Sequence, residues 1–262
     1  MSLKDQLREL GVRTGDWLAV FGDVPTAGGR VTSDADLDQL LGEIIAAVGD
    51  EGHVLVPTFT LGAEFDREKA PAATGRLAER FRRWPGVVRS NHPIYSVAVL
   101  GPQARAIVTD HDVYLPFQPE TPLGQLVAHE GKVLLLGDDQ RANALIHVAR
   151  LSVERERPVI WTNVDTVLEF GGRRRRRYVA VPCDRAYSTL GVEFEARGLA
   201  RPLETDWGRM TFLLAREVFN YMATLERNEP ARFLCADADC RWCVRSRNVP
   251  KKERSNTRVN TK

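Results

Sequence analysis

Residues Ser33 to Phe59 read SDADLDQLLGEIIAAVGDEGHVLVPTF, and two periods meet inside that stretch. Leu37, Leu40, Leu41, Ile44, Ile45 and Val48 recur at helical spacing behind Ser33, a good N-cap. After Gly49-Asp-Glu-Gly52 the run from His53 to Phe59 is too short for a helix and too continuously apolar for a half-exposed strand. It reads as a strand buried on both faces. Upstream, Ser2-x-x-Asp5 reads as a capping box, Leu3, Leu7 and Leu10 form one face, and Gly11 sits at a C-terminal cap. Trp17–Phe21 is then the next buried strand. Downstream, Ser96–Leu100, Lys132–Leu136 and Val159–Trp161 read as strands and Asn143–Val153 as a helix. Helices alternating with short apolar strands predict a three-layer α/β/α sandwich around a central mixed sheet. Residues 61–95, rich in Gly, Pro and charge, with one short helix near Leu77–Arg82, read as a long insertion over a site.

Past residue 165 the character changes. Gly171-Gly172 predicts a hairpin within 165–182, and Thr189–Arg197 and Met210–Leu225 are read as helices. The expected organisation is an α/β/α domain over 1–230, a cysteine-rich segment over 231–249 packed on it, and a disordered basic tail over 250–262. A chain of 262 residues buries a full core without disulfide support. No stretch approaches the ~18 apolar residues of a membrane span, and Met1–Leu10 is an amphipathic helix in place of a signal peptide, so a cytoplasmic protein is expected. Lys+Arg 37 against Asp+Glu 35 excludes a polyanion binder as a whole. Arg173 to Arg177 is either a solvated hairpin or a clamp for an anionic group. No nucleic-acid module accompanies it, so nucleic acid is not the expected partner. An oligomer is left open.

Cys235-x4-Cys240-x2-Cys243 offers three thiolates within nine residues, and Cys183 is the one other cysteine. Together they suit one closed, structural zinc site per chain. Asp237, Asp239 or water are weaker fourth ligands, and free cysteines or a redox pair are the alternatives.

An ordered set of segments carries more. Leu10-Gly-Val-Arg-Thr-Gly-Asp16 leads into a strand, and Gly49-Asp-Glu-Gly52 into Val-Leu-Val-Pro-Thr-Phe-Thr60. Arg89-Ser-Asn-His-Pro93 with Ser96, Gly101-Pro-Gln-Ala104, Thr121-Pro-Leu-Gly124, Lys132–Gly137 and Asn143-Ala-Leu-Ile-His147 follow in turn. Over residues 3–220 this set resembles the aminoglycoside 3-N-acetyltransferase family. The resemblance implies acetyl-coenzyme A as co-substrate, a small-molecule amine as acceptor (aminoglycoside-like or another antibiotic-pathway amine), and direct transfer without an acyl-enzyme. It implies His147 as general base, with Thr60 and Asn143 beside it. Gly22, Asp23, Thr58, His92, Ser96, Thr121 and Gly124 are the implied binding residues. Each has a plainer reading: a core histidine for His147, a turn-closing histidine for His92, strand-end threonines for Thr58 and Thr60, and a simple helix cap for Thr121.

Two places depart from the family's pattern. The first strand ends in Phe21-Gly22-Asp23 where the family has a hydroxyl pair that contacts coenzyme A. One turn past His147 stands Arg150 in place of a glutamate, a cation that should lower the histidine's pKa. The expected acceptor is accordingly an antibiotic-pathway or nucleotide-like amine in place of a classical aminoglycoside. Two rivals remain: the same fold with another donor or substrate, such as an aminoacyl or carrier-protein thioester or a nucleotide-like substrate, and a binding protein without catalysis.

Overall fold

The computed structural model describes residues 1–24, 31–62, 64–111, 116–137, 139–153, 161–167, 172–179 and 183–248. Helix α1 (Leu3–Glu9) precedes β1 (Trp17–Gly22), and α2 (Asp34–Val48) leads to β2 (His53–Pro57). The insertion contains β3 (Glu64–Phe65), α3 (Arg76–Phe81) and β4 (Val88–Arg89). Then come β5 (Val97–Leu100), α4 (Ala104–Val108), α5 (Pro122–Ala128), β6 (Lys132–Leu136) and α6 (Leu145–Ser152). The second half holds β7 (Trp161–Val167), β8 (Arg173–Val179), α7 (Leu190–Ala196), β9 (Ala200–Thr205), β10 (Gly208–Leu214), α8 (Ala215–Asn228) and α9 (Arg241–Arg247).

Seven strands form one mixed sheet in the order β4-β5-β2-β1-β6-β10-β9. Strand β1 is parallel to both neighbours, with Trp17 opposite His53 on β2 and Ala19 opposite Val133 on β6. Alternation then assigns side chains to two cores. Trp17, Ala19 and Phe21 join the core under α4, α5, α6 and α8, while Leu18 and Val20 join the one under α1, α2 and α3. This is the three-layer arrangement that the sequence predicts.

The N-cap residue's own side chain opens α1 and α2, whereas the N-cap residues of α3 to α9 make no such bond. Ser33 and Asp36 form the full reciprocal cap of α2, the Asp36 amide donating to Ser33 Oγ at 3.2 Å and the Ser33 amide to Asp36 Oδ2 at 2.8 Å. At α1 only half of the expected box forms: Ser2 accepts from the Asp5 amide, and Asp5 takes the Ser2 hydroxyl.

The run Met210–Leu225 is corrected. Its first part is strand β10, and the helix begins at Ala215. Met210 and Phe212 face one core and Leu213 the other, which is strand alternation. Pairing with β6 and with the unforeseen β9 decides it, and Pro202 is tolerated because β9 is the sheet edge. The predicted hairpin is β7 paired with β8, joined to β3 in a separate three-stranded sheet. Residues 159 and 160 of the expected strand, Asp138, Gly171 and the basic tail lie outside the described residues. Among the described residues, no helix is long and apolar enough to cross a membrane.

Gly124, inside α5, lies against the preceding turn: a Cβ there would stand 2.1 Å from the Gln118 carbonyl oxygen and 2.6 Å from Pro119 Cα. Both neighbours are backbone and cannot swing aside. Gly124→Ala should therefore destabilise the fold by about 1–3 kcal/mol, measured as a lower urea midpoint with an unchanged m-value. An unchanged midpoint would contradict this packing.

Candidate active site

A cavity of about 320 Å³ opens at the C-terminal ends of β1 and β2. Val20 and Gly22 of β1 and Val56 and Pro57 of β2 form its floor, with Phe59, Thr74 and Tyr95 on the insertion side. Ala142, Ala144 and His147 face them from the segment after β6, with Arg141 and Asp184 also in the wall. Ligand sites of open α/β sheets lie at strand C-termini, and the volume is at the low end for small-molecule sites. A larger groove of about 450 Å³ lies between α2 and α3, lined by charged residues including Asp23, Arg76, Arg80 and Arg83. Its charges are spent on ion pairs such as Arg80–Asp38 and Arg83–Glu79. The smaller cavity, with an imidazole at the strand ends, is the chemically equipped one.

Two aromatic rings enclose His147: Phe117 stacks on it at 5.5 Å between centroids and Tyr187 lies at 5.3 Å. Its Nδ1 is 3.3 Å from the Tyr187 hydroxyl. Arg150 lies one turn along α6, donates from Nη1 to that hydroxyl at 2.7 Å, and pairs through Nε with Glu226 of α8 at 2.7 Å. Burial first, and the Arg150 charge second, push His147 down to about 3. The direction is the one expected from Arg150, but burial dominates. His147 is therefore neutral at pH 7.

Of the other expected site residues, Gly22 alone lines this cavity. Its φ is +83°, and a Cβ would stand 2.7 Å from the Leu136 carbonyl. Asp23 turns away to α3, where its carboxylate accepts from the Arg76 amide at 2.9 Å and the Leu77 amide at 3.2 Å. Thr58 and Ser96 hold Arg89, whose Nε reaches their hydroxyls at 3.1 and 3.0 Å. Arg89 also donates to the Thr58 and Arg67 carbonyls, so it staples the insertion to the sheet, and burial lowers it to about 10. The Thr60 hydroxyl donates to the Pro93 carbonyl. Asn143 accepts from the Leu145 amide at 3.2 Å and starts α6. His92 is fully buried behind Tyr95, its Nδ1 accepting from the Ile94 and Tyr95 amides. Thr121 does not cap α5 with its side chain; its hydroxyl donates to the Gln118 carbonyl at 2.7 Å, and Gly124 packs on that same turn.

Tyr187, Glu226, Asp184, Tyr95 and Phe117 were missed. They come from four separate segments, Asp184 and Tyr187 sharing one, and no spacing ties them to His147. Arg173 and Arg175 of the arginine run lie apart from the cavity wall: Arg173 pairs with Glu64 at 2.9 Å and Arg175 with Asp165 at 3.7 Å, as in a solvated hairpin. The cysteines do come together. The sulfurs of Cys183, Cys235, Cys240 and Cys243 all lie within 4.8 Å of one another. Asp237 is engaged by Arg185.

Residues 28–226 match the family described as aminoglycoside 3-N-acetyltransferase. Aminoglycoside N(3)-acetyltransferase IX of Micromonospora chalcea is 32% identical over 223 residues, 74% of this chain and 78% of the relative. Aminoglycoside N(3)-acetyltransferase VII of Streptomyces paromomycinus is 34% identical over 141 residues, about half of each chain (48% and 49%). Among solved structures, the apoenzyme of aminoglycoside acetyltransferase AAC(3)-IVa superposes with a TM-score of 0.79 at 26% identity, covering 94% of this chain and 95% of that one. The same enzyme in complex with a gentamicin, as a histidine-to-alanine mutant, gives 0.80 at 25% identity with the same coverage.

Four buried histidines make stability depend on pH, His53 being lowered by burial along with the three most strongly shifted, His92, His111 and His147. Burial holds His92 and His147 at about 3 and His111 well below its ordinary value. In the unfolded chain each titrates near 6.5. Below that pH the unfolded state binds protons that the folded state refuses, so stability falls as pH drops from about 6.5 towards 3, by up to about 1.4 kcal/mol per pH unit per histidine. The urea midpoint should fall between pH 7 and pH 5. His111→Gln should give a slope shallower by close to one proton; an unaltered slope would show that His111 is already charged in the fold.

Proposed function

Since the chain belongs to the aminoglycoside 3-N-acetyltransferase family, we propose that it moves the acetyl group of acetyl-coenzyme A onto an amine of an aminoglycoside-like acceptor. The observation that carries this reading is a neutral imidazole, His147, in the wall of a cavity at the strand ends. In a direct transfer the amine nitrogen attacks the thioester carbon. The N–C bond forms and the C–S bond breaks. His147 takes the proton that the amine loses, and the leaving thiolate is protonated to free coenzyme A. A base must be neutral to begin, which His147 is. Its low basicity suggests a contribution at the low end of the usual 10²–10⁴ range.

Two features that weigh against this chemistry, Asp23 and the arginine run, become less adverse in this light. The Asp23 carboxylate is occupied by α3 and lines the other groove, so it does not oppose a donor in the His147 cavity. The arginines of β8 whose pairs are described are matched by carboxylates, so they do not repel a polycationic acceptor. Asp184, in the cavity wall, is a carboxylate that an ammonium group of the acceptor can meet.

We infer that the four-cysteine cluster holds one zinc ion. A tetrahedral site with Zn–S of ~2.3 Å sets sulfurs ~3.8 Å apart, a modest contraction of the 4.8 Å observed. The Cys235 amide donates to Cys243 Sγ at 3.3 Å, the kind of N–H···S bond that steadies a thiolate ligand. Four sulfurs leave no open position, so the ion would be structural.

With acetyl-coenzyme A and gentamicin, His147→Asn should lower kcat by about 10²-fold and leave both KM values nearly unchanged. A folded His147→Asn protein with parental turnover would overturn the assignment, and absence of any turnover or coenzyme A binding by the parent would favour a different donor or a non-catalytic role. Elemental analysis should find about one zinc per chain, and Cys243→Ser should lose it together with several degrees of Tm. Metal-free protein with the parental Tm would rule the site out.

A further inference from the structure

The network that ends on His147 begins at a buried ion pair. Arg150 and Glu226 are 3% and 1% exposed, and a buried pair of this kind is weak as a stabiliser, because apolar replacements often serve as well. Its placement is specific, however. Glu226 fixes the Arg150 guanidinium, which lies 4.7 Å from the Phe233 ring centroid and delivers one N–H to the Tyr187 hydroxyl. Tyr187 is fully buried in a 3-10 turn, Arg185–Thr189, and is held edge-on by Phe233. Cys183 precedes this turn and Cys235 follows Phe233, so the cysteine cluster brackets both segments that seat the phenol.

The imidazole has two nitrogens, and Nδ1 faces the phenol. Once the other nitrogen, Nε2, has taken a proton, both carry hydrogen and Nδ1 can donate but not accept. The phenolic oxygen 3.3 Å away is then the acceptor that the geometry supplies. Among the described residues, the charged and titratable groups around the ring are Arg150, Tyr187 and Glu226 on the buried side and Arg141 and Asp184 in the cavity wall. Arg141 is paired with Asp139.

We propose that Tyr187, seated by the Arg150–Glu226 pair, is a positioning residue for the transfer: its oxygen accepts from Nδ1–H of His147 and so directs the Nε2 lone pair to the acceptor amine. This rests on His147 being the base. The phenol does the work of a carboxylate partner without adding a negative charge, and it tolerates a neighbouring cation that a lone imidazole would not.

The test is nitrogen NMR of histidine-labelled protein combined with kinetics of Tyr187→Phe. The parent should show His147 as the Nδ1–H tautomer, and Tyr187→Phe should shift it to Nε2–H or a mixture. Tyr187→Phe should lower kcat about 10–100-fold, with KM values within about twofold. An Nε2–H tautomer in the parent, or parental kcat in folded Tyr187→Phe, overturns the inference. The tautomer measurement needs no variant, so it decides the matter even where Tyr187→Phe fails to fold. If His147→Asn is inactive while Tyr187→Phe is parental, the positioning role alone falls. If His147→Asn is active, the base reading falls first.

Discussion

Strand β1 is covered on both faces and hydrogen-bonded along both edges, and the rest of the molecule is arranged around that confinement. Every residue from Trp17 to Phe21 is buried, so each must meet an apolar partner above or below the sheet. Leu18, Val20 and Phe21 each contribute roughly 1.5–3 kcal/mol on leaving water. Two helical layers are the consequence, and a cavity can form only where β1 ends. It ends at Gly22, because a side chain there would meet the Leu136 carbonyl on β6. The site is therefore tied to the sheet's own geometry.

Around the cavity, polar residues divide into those that face it and those consumed in holding its walls. Thr58, Ser96, Thr60, Asn143 and Thr121 are all buried, and a buried hydroxyl or amide must find a partner within the protein. Each finds one, on Arg89 or on a backbone group. Asp23 belongs with them. It supplies to α3 the capping carboxylate that Gly75 lacks, and Gly75 leaves room for it: a Cβ there would stand 2.2 Å from Asp23 Cγ. The position from which the resemblance implies a coenzyme A contact is here engaged in the scaffold.

The electrostatics of His147 follow from the same economy. Burial beside a cation makes its charged form costly, so the resting state is neutral. The cation does not stand alone, since Glu226 reaches it from α8. A glutamate at position 150 would instead face Glu226 across the same buried space. The arginine on α6 and the glutamate on α8 are thus one paired solution, and neither is intelligible without the other.

The periods of residues 1–59, 96–136 and 143–153 and the caps at Ser33 and Gly11 were readable because they are local: a helical face and a buried strand announce themselves through spacing alone. The four cysteines were readable as a set because soft ligands are few and Cys183 had no other candidate partner. His147 was legible as a candidate through an ordered set of motifs, and the downward direction of its pKa through Arg150 one turn away, although burial, which the sequence does not show, is the larger cause. The sequence did not disclose β9 and the strand part of β10, because Met210–Leu214 fits either period and only pairing with β6 resolves it. Nor did it disclose that Asp23, Thr58, Ser96 and Thr121 face inward to the scaffold, or that Tyr187 and Glu226 lie behind His147. Apart from Thr121, whose hydroxyl meets the Gln118 carbonyl three positions away, those facts depend on which residues distant in the chain become neighbours, as Arg89 and Thr58, His147 and Tyr187, or Arg150 and Glu226 do. Local spacing determines period, capping and ligand type; long-range packing alone decides which buried polar atom meets which partner.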